Sequence, residues 1–458
     1  MRACTPFAAF KRCVEYFEAD PDFRSAFLAD GRKAVTDLGF GDLPDADAAV
    51  EAVRQICIDG IGSLNDRTEI TNPYLQAFFA VIDTVSDTVR RVHSESSFRN
   101  RELYVYANRV RNRCRMENRT LRTQENVHYY PLCFELGYGC RPQCSFCGFA
   151  APVWEENFLY TDQNRALWRD LLTGLRRRLG PIAAASACYF ATEPFDNPDY
   201  ELFLRDFEEI MGGLPQTTTA AADVDAERVK AFLTWVGEER LRREASVRFS
   251  VRSLSQFRRI MDLYSPDELA YVELLLNNPE SLGRYSDSGR TRLSAGVPDE
   301  KLCRYSINCV AGIQVNMARR TLRFIEPMLP DAEYPTGIRT RAEARFDSPD
   351  DFFRQADRMT AEFAAGFLRP ERRITLNPNI RVETEGPLIR FCGDGIFYRI
   401  SRGVVLETAL ARLPEGTCFS ELCDKLCLFQ PAAEELYEHL NALYMRGYLI
   451  DAREREEP

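Results

Sequence analysis

Apolar residues recur at helical spacing near the start of the chain, where Phe17, Phe23, Phe27, Leu28, Val35 and Leu38 are broken by Asp20-Pro21 and Asp30-Gly31. This pattern predicts short helices within residues 1–60. Helical periodicity continues through 61–127, expected as a linker or cap, and ends in a basic stretch from Arg109 to Arg122 that suits the surface. From 128 to 318 the rhythm changes. Short apolar runs such as Tyr130 to Leu136, Ala187 to Ala191, Thr217 to Ala220, Val247 to Val251, Tyr271 to Leu276 and Ser306 to Met317 alternate with amphipathic segments, one of them carrying Leu167, Trp168, Leu171, Leu172 and Leu175. Strand–helix alternation of this kind predicts an α/β unit built on a parallel sheet. In the fourth run, Val247, Phe249 and Val251 suit the helix-facing side, which leaves Arg248, Ser250 and Arg252 for the opposite face. Residues 319–373 read as a bridge. From 374 to 452 short strands around 380–382, 388–391 and 396–400 precede helices near 403–413, 419–427 and 431–446, an α+β unit of winged-helix type.

Length and composition narrow the class. The chain of 458 residues is too long for one core, and 45% hydrophobic with 28% charged residues is the balance of a globular protein. A formal net charge of −10 argues against nucleic-acid binding, and the third C-terminal helix, Ala432-Ala-Glu-Glu-Leu-Tyr-Glu-His-Leu440, is acidic where a DNA reader would meet phosphates. No apolar run approaches a membrane span and the N-terminus lacks the regions of a signal peptide, so a cytoplasmic protein without membrane partners is expected. Fifteen cysteines then belong to a reducing compartment, as ligands, catalysts or small core residues, while three scattered histidines (His93, His128, His439) disfavour a histidine-built metal site.

Three of those cysteines stand out, in Cys140-Arg-Pro-Gln-Cys144-Ser-Phe-Cys147. They follow an apolar strand, and Gly137 and Gly139 let the loop curl its thiolates toward one point. Thiolates are the ligands that iron–sulfur clusters select, and three of them on a four-iron cubane leave one iron open. The spacing resembles that of the radical S-adenosylmethionine (SAM) enzymes. That resemblance implies a partial (β/α)6 barrel with its site at the C-terminal strand ends, and a [4Fe–4S] cluster on Cys140, Cys144 and Cys147 whose open iron chelates SAM. It also implies Phe146 packed by the adenine, Glu193 on the SAM ammonium, Ser250 and Arg252 on its ribose and carboxylate, and a reductant such as flavodoxin or ferredoxin. One departure is plain: Ala191-Thr192 stands before Glu193 where the superfamily usually has two glycines.

The runs Cys188 to Tyr200, Leu214 to Ala220, Val272 to Asn277 and Ile307 to Asn316 further resemble the radical SAM peptide epimerases, over roughly 128 to 345. This likeness implies conversion of L- to D-residues in a ribosomally made precursor peptide. A 5′-deoxyadenosyl radical takes the Cα hydrogen, and a thiol returns a hydrogen atom from the far face. Cys309, inside the last run, is the candidate donor, with Cys303 and Cys392 as rivals. The C-terminal strands and helices resemble the peptide-chaperone domain of pyrroloquinoline-quinone biosynthesis, which implies recognition of a precursor leader. Residues 17–44 resemble the leaders of nitrile-hydratase-like precursors; an ordinary helical cap is the alternative. Cys418, Cys423 and Cys427, spaced at helical positions, read as core of the C-terminal unit. Two other functions fit less well. Thioether or carbon–carbon crosslinking lacks auxiliary-cluster cysteines, and a non-catalytic peptide scaffold would not need the triad.

Overall fold

The computed structural model describes residues 4–60, 70–117, 128–244, 246–293, 298–303, 310–393 and 396–452. Its central sheet is organised by the apolar stripe of helix Asp162–Leu179. Thr161 caps that helix by accepting from the Asn164 amide, Asp162 lies in its first turn and Arg176, Arg177 and Arg178 in its last, the charge order a helix dipole favours. The buried stripe packs on strand β1 (Tyr130–Glu135), with the Trp168 and Phe134 rings 4.8 Å apart.

β1 pairs in parallel with β2 (Ser186–Ala187), and a single parallel bridge from Ala187 to Gln216 leads to β3 (Thr217–Thr219). β4 (Val247–Val251) and β5 (Glu273–Leu276) continue the parallel run. The alternation on β4 is as read: Val247, Phe249 and Val251 are buried, Arg248 and Ser250 half-buried. The next parallel strand, β6 (Val310–Asn316), does not continue beyond β5. It lies on the other side of β1, with Leu132 opposite Ile313 and Phe134 opposite Val315. Gly312 makes that approach possible: its φ is +153°, and a Cβ there would sit 2.3 Å from the Pro131 carbonyl oxygen. Two antiparallel strands, β7 (Thr321–Pro327) and β8 (Ile338–Arg345), complete the order β8-β7-β6-β1-β2, so the stretch read as a bridge extends the main sheet. Leu132, Phe134, Ile313 and Val315 face the helices, while Cys133, Ala187, Phe190, Val310 and Ile325 form a small cluster on the inner face.

Helices from Pro6 to Gly60 share a core with helix Pro73–Val92, through Phe10, Phe17, Phe27, Val53 and Phe79. Helix Pro6–Ala19 docks this unit on the main one. Buried Arg12 donates to the Met261 and Tyr264 carbonyls at 3.1 and 2.7 Å, Lys11 to that of Val272 at 2.9 Å, and Asp20 pairs with Arg258 at 2.8 Å. Of residues 17–44, Asp20 thus sits against helix Leu254–Leu263.

In the C-terminal unit β9 (Arg373–Leu376) lies between Thr417–Cys418 and Leu449–Asp451, and β10 (Arg381–Glu385), β11 (Leu388–Gly393) and β12 (Ile396–Ser401) form a second antiparallel sheet. Helices Val404–Arg412, Phe419–Leu426 and Gln430–Met445 follow, and Met116 of helix Arg101–Glu117 enters their core. Of Cys418, Cys423 and Cys427, only Cys418 is buried. Cys427 is exposed, at the end of its helix in a left-handed conformation, so the triplet does not form core as read. Among the described residues no helix is long and apolar enough to cross a membrane.

Candidate functional site

The cysteine loop leaves β1 through Gly137–Tyr138, which pairs with Glu156–Asn157 and closes the loop at its base. Gly139, at φ +81°, passes so close to Val153 that a Cβ would lie 2.2 Å from its carbonyl oxygen, and the Cys140 amide donates to Pro152 at 3.0 Å. Gln143 adopts a left-handed φ of +45° and turns its amide inward, donating to the Cys140 and Pro152 carbonyls at 2.5 and 2.9 Å. Cys140, Cys144 and Cys147 are all half-buried free thiols. Burial pushes the Cys140 thiol up to about 12, with Glu193 and the other two thiols adding to the effect. Burial also raises Cys144, opposed by the guanidinium of Arg252. The structure thus brings Glu193 and Arg252 to the cysteine loop.

A segment that the sequence reading passed over holds this loop in place. Arg290 donates to the Cys144 carbonyl at 2.9 Å, to Gln143 Oε1 at 2.6 Å and to the Ala151 carbonyl, while its own amide donates to the Cys147 carbonyl at 2.9 Å. Thr291 reaches the Phe146 carbonyl, and the Phe146 ring stacks on Tyr285 at 5.7 Å with 4° between planes. Nothing local in Gly289-Arg290-Thr291 announces this role, because its partners lie far back in the chain.

The turn after β2 is tied to the same loop. Ala191 takes φ +49°, so an alanine occupies a left-handed backbone that glycine would enter without strain. Glu193 is buried. Its Oε1 accepts from the Thr219 hydroxyl and the Phe195 amide, and its Oε2 from the Ala220 amide at 2.8 Å. Burial nevertheless pushes this carboxyl up to about 7. Asp196 accepts from the Arg141 amide at 3.0 Å, and buried Asn197 donates to the Leu136 and Phe158 carbonyls. Arg252, two residues beyond Ser250, is oriented by Gln256, whose Oε1 accepts from the Arg252 amide at 2.8 Å and whose amide donates to the Ala220 carbonyl at 3.0 Å. Gln256 was also unread; a polar side chain on an otherwise apolar helix face was its signal.

Cys309 lies outside the described residues. Cys303 is buried beside Tyr285–Ser286, with Arg284 donating to its sulfur at 3.7 Å. Cys392 is elsewhere, on β11 opposite Arg381 and Phe397.

No known family model matches the chain. It is 33% identical over 270 residues to the uncharacterized protein y4wI of Sinorhizobium fredii, a stretch covering 57% of this chain, and the chain spans about half (52%) of that relative's length. Among solved structures, the crystal structure of BtrN in complex with AdoMet and 2-DOIA is similar at 15% identity and a TM-score of 0.27, covering 42% of this chain and 72% of that one, which is too slight to bear on the fold.

A cavity of about 250 Å3 opens on the inner face beside the cysteine loop, at the C-terminal ends of β1 and β6. Gly139 and Pro152 of the loop and Ala191 of the turn form one side of it, and Glu135, Gln314 and Asn316 line another. Among the described residues no three His, Cys, Asp or Glu side chains converge on one metal ion, whose ligands would lie roughly 4 Å apart.

Proposed function

We propose that the chain is a radical SAM enzyme that epimerises residues of a ribosomally made peptide in the cytoplasm. The observation that carries this reading is the set of three half-buried thiols on one loop at the end of β1, with the charges of Glu193 and Arg252 near enough to act on them. Such a donor set fits a [4Fe–4S] cluster. Its thiols are spread over one loop rather than drawn onto a single ion, and burial that disfavours the thiolates of Cys140 and Cys144 is what a cationic centre would offset. When bound, the cluster and SAM supply the means of taking a hydrogen atom from a peptide Cα.

The chain's own residues do the rest. Cys140, Cys144 and Cys147 bind the cluster, and Gln143 and Arg290 keep their loop folded around it. Arg252 offers a guanidinium to the SAM carboxylate, Ser250 a hydroxyl to the ribose and Phe146 a ring face to the adenine. Glu193, whose lone pairs serve Thr219, Phe195 and Ala220, is in this reading a support for the ammonium-binding backbone. Cys309, or Cys303 in its place, gives its S–H hydrogen atom to the far face of the Cα radical. The sulfur-centred radical left behind takes up one electron and one proton, the electron from a flavodoxin- or ferredoxin-like reductant. Residues 374–452 hold the precursor leader.

Anaerobic reconstitution tests the cofactor half. The protein should bind one cluster and cleave SAM to 5′-deoxyadenosine under reductant, and changing Cys140, Cys144 and Cys147 together to Ala should abolish both. A cluster of the same type in that variant would refute the ligand assignment.

A further inference from the structure

The inner-face cavity has an unusual floor for a sheet interior. Glu135, at the end of β1, is buried, and its two carboxylate oxygens accept from Gln314 Nε2 at 2.8 Å and Asn316 Nδ2 at 2.5 Å. Burial pushes this carboxyl up to about 7. Asn316 is consumed locally: its amide also donates to the Gly137 carbonyl at 3.1 Å, and its oxygen accepts from the Arg319 amide at 2.8 Å. Gln314 differs. With its NH2 group directed to Glu135, its remaining polar atom is an acceptor on a side chain that lines the cavity. Facing this polar floor is an aromatic wall, where the Phe149 and Phe190 rings stand 4.4 Å apart. The volume lies just below the range of roughly 300–1,000 Å3 typical of whole small-molecule pockets. It suits one amino-acid residue with its flanking peptide groups.

We propose that this cavity is the binding site for the target residue of the peptide. An L-residue with an apolar side chain lies against Phe149 and Phe190, and its flanking backbone N–H donates to the Gln314–Glu135 acceptor pair. The inference rests on the peptide-modifying reading above and adds to it the class of residue taken and the groups that hold it. Fixing the N–H against a rigid floor sets which face of Cα turns toward the cysteine loop, because Gly139, Pro152 and Ala191 border the same space. A carboxyl group held by two carboxamides serves this role because neither Gln314 nor Asn316 can rotate without leaving a buried oxygen unpaired.

The test measures binding and needs neither iron nor SAM. N-acetyl-L-leucinamide and the matching methyl ester, which lacks the terminal N–H donors, are offered to the full-length protein and followed by saturation-transfer NMR. The amide should bind about tenfold more tightly than the ester, the worth of one well-made hydrogen bond. Thr340 lies exposed at the rim, so Thr340→Trp blocks the mouth without disturbing the core and should abolish transfer. Gln314→Met keeps the volume, removes the acceptor and should erase the amide preference. Absence of transfer in the unaltered protein, equal transfer in Thr340→Trp, or a preserved amide preference in Gln314→Met would each overturn the proposal. Because the assay omits the cofactors, a protein that binds the amide yet never cleaves SAM would refute the radical SAM reading alone.

Discussion

Arg290 donates to the Cys144 carbonyl at 2.9 Å across 146 residues of chain. The same guanidinium reaches Gln143 and Ala151, so one side chain joins the front, middle and back of the cysteine loop. Hydrogen bonds from a charged group contribute roughly 1.5–3 kcal/mol each. Arg290→Ala should therefore loosen the loop even without cofactor. The expected outcome is maleimide labelling of Cys140, Cys144 and Cys147 faster by at least about tenfold, or ~1.4 kcal/mol of local opening. Arg290→Lys keeps the charge but loses the fork and should fall between. Unchanged labelling in the alanine variant would reduce Arg290 to a bystander.

Epimerisation leaves mass unaltered in ordinary water. In deuterated water a donor thiol exchanges before it acts, so each inverted residue should gain one deuterium at Cα, read by mass spectrometry. Cys309→Ala should still consume SAM while forming little or no D-residue. Full epimerisation by that variant would move the role to Cys303, beside Tyr285–Ser286, or to Cys392. A crosslink or mass loss in the product formed by the unaltered protein would end the epimerase reading.

Ala191 bears a left-handed φ of +49° that costs an L-residue about 1–2 kcal/mol. Glycine there relieves the strain but loses about 0.5–1 kcal/mol through the freer unfolded chain. Ala191→Gly should accordingly be neutral to slightly stabilising in urea denaturation, where an ordinary Ala→Gly change destabilises. A clear loss of stability would mean that the alanine methyl packs usefully against its neighbours.

Much of this organisation was legible in the chain because it is local. The cysteine spacing, the period-two alternation of β4 and the leucine stripe of helix Asp162–Leu179 each announce themselves within a short window. What escaped is what long-range pairing decides. The place of β6 beside β1 depends on Gly312 fitting against Pro131, a contact that no window of sequence contains. β7, β8 and β9 were unread because their partners, not their own periodicity, make them strands. Arg290 and Gln256 likewise act on groups distant in sequence, so their side chains looked like ordinary surface or helix polarity.

Glu135 makes stability depend on pH. Its folded carboxyl titrates near 7 because burial disfavours the charge, against an ordinary value of 4.5. The folded state then holds a proton that the unfolded state has released between those values, so stability falls as pH rises from 4.5 to 7. The size is about 3 kcal/mol at most by linkage. Glu135→Gln cannot titrate and should remove this slope from urea midpoints followed by tryptophan fluorescence. An unchanged slope would place the pH dependence on another buried carboxyl raised by burial, such as Glu15 or Glu193.

Every residue of β10 is exposed, and the strand lies at one edge of its three-stranded sheet. An extended leader could add there as a further strand. Amide exchange over residues 381–385 should slow when a leader-bearing precursor binds and stay unchanged with the isolated core peptide. Equal protection by both peptides, or protection confined to the helices, would exclude strand addition.

The docking of Arg12 on the Met261 and Tyr264 carbonyls sets an order of events on the ribosome. Helix Pro6–Ala19 is made before its partner carbonyls, which are 249 and 252 residues further on. At about 5–20 residues per second the helix waits on the order of ten to fifty seconds for them. During that interval the apolar partners within the helix's own unit, Phe27 and Val53 against Phe10 and Phe17, are already made. The contact that joins the N-terminal unit to helix Leu254–Leu263 and the turn after it therefore forms only once more than half of the chain has been made.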